Sequence, residues 1–191
     1  MLKDLVLKNR SYRRFDESYT ITEETLRELV ALARLVPSTV NSQALKFRLI
    51  TDREACAKVF PCVGWAAALK DWPGPAEGER PSAYIIILCD LALGQNKLQD
   101  DGITAQTIML GAVEKGLGGC MLGNIRRDAL AEAIGIDQEA YHIDLVLALG
   151  KPVETVKIVD VPESGSTTYY RDAEGVHYVP KRSLDDLIIK E

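Results

Sequence analysis

The chain has 191 residues, 47% of them apolar and 27% charged, which suits one globular domain with a substantial core. A net charge of -5 argues against a nucleic-acid binder, and no apolar run approaches the ~20 residues of a membrane-spanning helix. Cys56, Cys62, Cys89 and Cys120 form no C-x-x-C pair and lie apart from both histidines, so neither a metal site nor a disulfide framework is expected.

The first residues, Met1 to Lys8, alternate charge with apolar side chains, unlike a signal peptide. With the reduced thiols this predicts a cytoplasmic protein. Leu2, Leu5 and Val6 predict a short helix over 2–9. The first 14 residues carry Lys3, Lys8, Arg10, Arg13 and Arg14 against Asp4, a basic cluster on an acidic protein that points to a small anionic ligand. Arg10, Ser11 and Arg13 offer forked donors and a hydroxyl, the groups that hold phosphate by charge-assisted bonds.

Thr20 and Glu23 read as a capping box, followed by a helix over 22–36 with Leu26, Leu29, Val30, Ala33 and Val36 on one face. Pro37 stops it. The polar knot Pro37-Ser38-Thr39-Val40-Asn41-Ser42-Gln43 comes next, a dense set of donors and acceptors where loops on rigid scaffolds carry binding groups. Residues 46–51 alternate as a half-buried strand and 53–60 suit a short helix. Across 61–81 four prolines, three glycines and two tryptophans break every period, which predicts a long loop, either a ligand cover or an anchor to the core.

Ala83 to Asp90 is a β-branched run that predicts a strand buried on both faces. Residues 100–115 form a helix apolar nearly all round, hence central. In 116–123 the glycines permit close backbone approach to a flat partner, or positive φ, without the spacing of a phosphate loop or dinucleotide fingerprint. A short helix over 126–134 ends at Gly135, and Ile143–Leu149 is another buried strand. Residues 156–161 read as a strand, 169–171 and 176–179 as a hairpin, and a helix starts near Ser183 after the basic pair Lys181 and Arg182.

No acyl-transfer triad assembles around His142 or His177, both of which read as structural or surface residues. Cys120 has no base near it in sequence and reads as a small buried residue. What remains is a pair of basic clusters at the chain ends, a polar knot and a glycine-rich stretch. Together these suit a ligand with a phosphate, a polar chain and a flat heterocycle. FMN has all three and carries its own chemistry, so no side-chain acid or nucleophile is needed.

At this point the chain resembles the nitroreductase family. Arg10-Ser11-Tyr12-Arg13-Arg14-Phe15 is similar to its R-S-x-R-x-F, and residues 37–43 to its P-S-x-x-N-x-Q. Asp101-Gly102-Ile103 with Ala105-Gln106, Gly116-Leu117-Gly118 with Cys120, and Lys181-Arg182-Ser183-Leu184 follow in the family's order. Ala44-Leu45 replaces its frequent Pro-Trp, and Asn9 its frequent basic residue before the first arginine.

The resemblance implies an α+β fold, a mixed β-sheet flanked by helices, in one domain over 1–191. About 152–191 would form an arm exchanged with the partner protomer of a homodimer. It implies FMN as cofactor and NAD(P)H as co-substrate, with ping-pong hydride transfer through flavin N5 to a nitroaromatic, quinone or similar small electron acceptor. Arg10, Ser11, Arg13 and the basic end at Lys181 and Arg182 would hold the phosphate and ribityl chain. Ser38, Thr39, Asn41 and Gln43 would contact ring and ribityl groups partly across the dimer, and Gly118 and Gly119 would lie against the ring. No side chain is implied as catalytic. A flavin-binding or flavin-sensing protein without turnover, and a plain interaction domain, are the alternatives.

Overall fold

A computed structural model describes residues 1–94 and 99–189. Its centre is β3 (Ala83–Asp90), paired antiparallel on one side with β2 (Leu45–Ile50) and on the other with the long β5 (Tyr141–Pro152). The far edge of β5 pairs with β4 (Gly118–Leu122) and with the two-residue β1 (Phe15–Asp16). Along β3, Tyr84, Ile86 and Leu88 face one core cluster while Ala83, Ile85 and Ile87 face the other. This is the period-two alternation of a strand, but both faces are covered, so the sequence reads as one continuous apolar run.

Helices α3 (Arg53–Val59) and α5 (Arg127–Ile134) cover the first face, and α2 (Glu23–Ala33) and α4 (Asp100–Glu114) the second. The short α1 (Leu2–Lys8) precedes the arginine loop. A second, three-stranded sheet joins β6 (Val156–Asp160) in parallel to β8 (His177–Lys181), which pairs antiparallel with β7 (Tyr170–Arg171). The chain ends on α6 (Leu184–Leu187), capped by Ser183. The α+β expectation is therefore met. The main sheet is antiparallel between its named strands, and the parallel component lies in a Ser11–Gly119 bridge and in the small sheet.

Two local expectations change. The cap of α2 is Thr22, whose Oγ1 accepts from the Thr25 N–H at 3.2 Å, in place of a Thr20–Glu23 box. Ile21 and Leu26, buried in one cluster, occupy the flanking positions of a hydrophobic staple and set that start. The helix also ends at Ala33, ahead of the restriction that Pro37 places on Val36. In the glycine stretch, expected to allow close approach or positive φ, Gly116 has φ of 73° and the residues after Leu117 form strand β4.

Glycines at two strand positions let the arginine loop lie on the sheet. A Cβ on Gly150 would stand 2.7 Å from the Phe15 ring, and one on Gly118 would stand 2.5 Å from the Tyr12 ring. Phe15 is fully buried there, and Tyr12 donates its N–H to the Gly119 carbonyl at 2.9 Å. Gly150→Ala is expected to lower stability by about 1–3 kcal/mol in urea unfolding, the usual cost of forcing extra volume into a packed site. Gly123→Ala, whose Cβ would meet nothing within 4 Å, is expected to leave stability nearly unchanged.

Candidate functional site

The arginine loop runs between α1 and β1. Arg10 donates from Nη2 to the Val6 carbonyl at 2.6 Å, and Ser11 bridges to Gly119 of β4. Arg13 donates from Nη1 to the Ser11 carbonyl at 3.1 Å, and its guanidinium carbon stands 5.1 Å from the Tyr169 ring centroid. Beneath the loop lies the Glu154 carboxylate, 1% exposed, which accepts from the N–H groups of Arg13 and Arg14 and from Arg171 Nη2 at 3.0 Å. Breaking a buried pair of this kind by removing one partner costs about 3–5 kcal/mol.

Arg13 lines a cleft of about 190 Å³ with Gly64, Trp65, Ala66, Ala67, Cys120, Met121, Leu122, Gly123, Asn124 and Tyr169. Burial, opposed in part by the Arg13 cation, pushes the Cys120 thiol up, which works against a reactive thiolate there. Arg10 Nε, Arg13 Nε and Trp65 Nε1 are buried with no hydrogen-bond partner among the described residues. Gly118 and Gly119 precede Cys120 on β4, and the space a Cβ would take at each is filled by Tyr12, Pro152 and the Ala148 carbonyl. The lining of the cleft on this strand runs from Cys120 to Leu122 and on to Asn124.

The polar knot forms a different wall. Ser38 and Gln43 line a cavity of about 810 Å³ with α2 residues such as Arg27 and Arg34, with β2, and with Asp100 and Thr104 of α4. Val40, Asn41 and Gln43 have positive φ of 47°, 56° and 49°. In a β-branched residue such as Val40 that geometry is strained, and it persists only where surroundings impose it. The restraint is Asp100, 3% exposed, whose carboxylate accepts from Thr39 N–H at 2.9 Å and from Thr39 Oγ1 at 2.8 Å. Gln43 donates its N–H to Ser38 Oγ at 3.3 Å and its amide to Asn41 Oδ1 at 3.2 Å. The remaining non-glycine positive φ among the described residues is Ala66, in the first cleft.

Lys181 and Arg182 line a third depression with Asp160, Val161, Pro162, Gly165, Ser183 and Asp186. One chain thus gathers Arg10, Ser11 and Arg13 with Gly118 and Gly119, and holds the knot and the basic C-terminal pair at two other places. The residues missed from sequence are Glu154, His177, Tyr169 and Asp100, which sit 61–164 positions from the loops they touch. Tyr169 accepts from the Ala68 N–H at 3.2 Å, and Arg171 stacks 4.3 Å over Trp72, so the 61–81 loop is anchored by the C-terminal hairpin. His142, by contrast, is half exposed and pairs with Asp144 at 2.7 Å.

His177 is buried 3.5 Å from Arg13 Nη1, and burial together with the Arg13 and Arg171 cations pulls it from 6.5 down to about 4. Between those values the unfolded chain binds a proton that the native state refuses. The native state is therefore fully favoured above pH 6.5 and loses that advantage as pH falls towards 4. Urea unfolding of the wild type should weaken more steeply over this range than that of His177→Gln; equal slopes would contradict the assignment.

Among known proteins, the Nitroreductase family profile matches residues 6–81 and 91–151. A candidate NAD(P)H nitroreductase of Bacillus subtilis (strain 168) is 22% identical over 184 residues, covering 79% of this chain and 88% of that protein. A candidate NADH dehydrogenase/NAD(P)H nitroreductase of Archaeoglobus fulgidus is 26% identical over 156 residues, 78% of this chain and 83% of that protein. In structure, the chain is similar to a candidate nitroreductase in complex with FMN from Desulfovibrio desulfuricans, with a TM-score of 0.72 at 20% identity over 100% of this chain and 96% of that one. A second FMN complex, from Exiguobacterium sibiricum, gives 0.69 at 23% identity over 86% and 94%. The match to the family profile spans well over half the sequence, on the fold those structures share: the chain belongs to the Nitroreductase family.

Proposed function

We propose that this protein is an FMN-dependent NAD(P)H oxidoreductase with ping-pong kinetics towards a nitroaromatic, quinone or similar small acceptor. The observation that carries the reading is the arginine loop, where Arg10 and Arg13, either side of Ser11, keep buried Nε atoms with no hydrogen-bond partner among the described residues. Orphaned buried donors are rare in native structures and call for a ligand that accepts from them. A phosphate and a ribityl chain do so, and the residues present fit FMN. Bound there, it would supply the two-electron chemistry between NAD(P)H and the acceptor. The chain's own residues bind and orient it. Arg10, Ser11 and Arg13 meet its anionic and hydroxyl groups, and the backbone and side chains of 120–124 with Trp65 and Tyr169 wall its flat part.

The separation of the knot from the arginine cleft supports a homodimer. Ser38, Thr39, Asn41 and Gln43 of one protomer would complete the cleft of the other, with Lys181 and Arg182 adding positive charge for the phosphate. The arm expected to reach the partner is about 152–191; within one chain its β7–β8 hairpin meets Glu154 and Arg13, contacts that an exchanged arm would make with the partner protomer instead. The four free, buried cysteines favour a reducing compartment such as the cytoplasm.

The purified protein should show flavin absorbance, directly or after reconstitution, and bleach anaerobically with NADH or NADPH. Initial rates with a quinone should give parallel double-reciprocal lines. A flavin that binds but does not bleach would instead mark a sensor without turnover, and a chain that takes up no FMN would remove the proposal. Arg10→Ala is expected to weaken FMN binding roughly ten- to hundredfold, the worth of a charged hydrogen bond, as read by flavin fluorescence quenching.

A further inference from the structure

Arg13 is held from two independent sides by residues that no motif of the family resemblance includes. Its backbone N–H is fixed by Glu154 Oε1, whose carboxylate is locked in turn by Arg14 N–H and Arg171 Nη2. Its guanidinium is flanked by the His177 and Tyr169 rings, themselves 5.2 Å apart.

The His177 contact has a definite chemical sense. An arginine carries donors only, so at 3.5 Å from Arg13 Nη1 the His177 Nε2 must be the acceptor, which puts the ring proton on Nδ1. His177 Nδ1 is buried and has no partner among the described residues. A histidine kept merely for packing would ordinarily find a bond for that proton. Here the ring sacrifices one hydrogen bond to present a neutral acceptor to a cation. Nη1 is thereby committed to His177 and the Ser11 carbonyl, and Nε has no partner among the described residues in a side chain that lines the cleft.

We propose that Glu154 and His177 are positioning residues for Arg13, the first fixing its backbone and the second, as the Nδ1–H tautomer, aiming its guanidinium at the cleft. What the cation meets there rests on the flavin reading above; the contacts themselves do not. The proposal sets two measurements apart.

On the protein without cofactor, long-range ¹⁵N NMR of His177 should show a protonated Nδ1 and a bare Nε2, with the ratio shifting towards Nε2–H in Arg13→Ala. With FMN, His177→Leu should weaken binding about tenfold by fluorescence quenching, since one hydrogen bond to a charged group is lost. His177→Gln, which keeps an acceptor, should stay within about threefold of the wild type. In an Arg13→Ala background His177→Leu should cost nothing more, because contacting residues that act through one another are non-additive. An Nε2–H tautomer in the wild type, equal losses for Leu and Gln, or additive losses with Arg13→Ala would each overturn the proposal. If even the wild type took up no FMN, the cofactor reading would fall while the tautomer still decided how Arg13 is held.

Discussion

The site depends on one buried carboxylate. Glu154 lies just past the end of β5, where the central sheet hands the chain to its C-terminal sheet, and it accepts hydrogen bonds from both the N-terminal arginine loop and Arg171. A carboxylate so fully removed from water is tolerable only when its lone pairs are satisfied, and two backbone N–H groups with a guanidinium do that. The same contact sets the position of Arg13 and Arg14, the latter gripping Glu79 at the end of the long loop through its Nε at 2.8 Å. One anion therefore places three chain segments at once.

The polar knot solves a different problem. Its side chains are small and its backbone strained, so its shape has to be imposed from outside. Asp100 at the start of α4 does this by holding Thr39 through both backbone and hydroxyl. With Val40 almost wholly exposed, packing cannot explain the strain there, and a surface built for a partner or ligand can. Two elements held rigid separately would suit the two-protomer site proposed above.

The regular elements were largely legible, because apolar period and turn residues act over a few positions. β3 was evident from Tyr84 to Leu88, and the β7–β8 hairpin from its flanking tyrosines and Asp172–Gly175 turn. The cap of α2 was misplaced, though not its start, because Ile21 and Leu26 together outweigh the Thr20–Glu23 pattern. The arginine loop and the knot were legible as donor clusters. What held them was not. Glu154 and His177 look like any acid and any lone histidine until the fold brings them 141 and 164 positions back to Arg13. At Gly118 and Gly119 the sequence shows only that close approach is permitted; that Tyr12 and the Ala148 carbonyl occupy the space a side chain would take there is set by tertiary contacts.

The long loop has a consequence for how the molecule comes apart. It is fastened to Arg14 near one end of the chain and to Tyr169 and Arg171 near the other, all by contacts between segments distant in sequence. Closing such loops carries an entropy cost that the sheet strands β2, β3 and β5, with their apolar burial, can meet on their own. The cleft thus has one wall on the sheet core, through Cys120 and Leu122 of β4, and the other on segments held to it by a few long-range contacts. A ligand seated in the cleft would clasp both chain ends and the loop together, so occupancy and order of the periphery become the same variable.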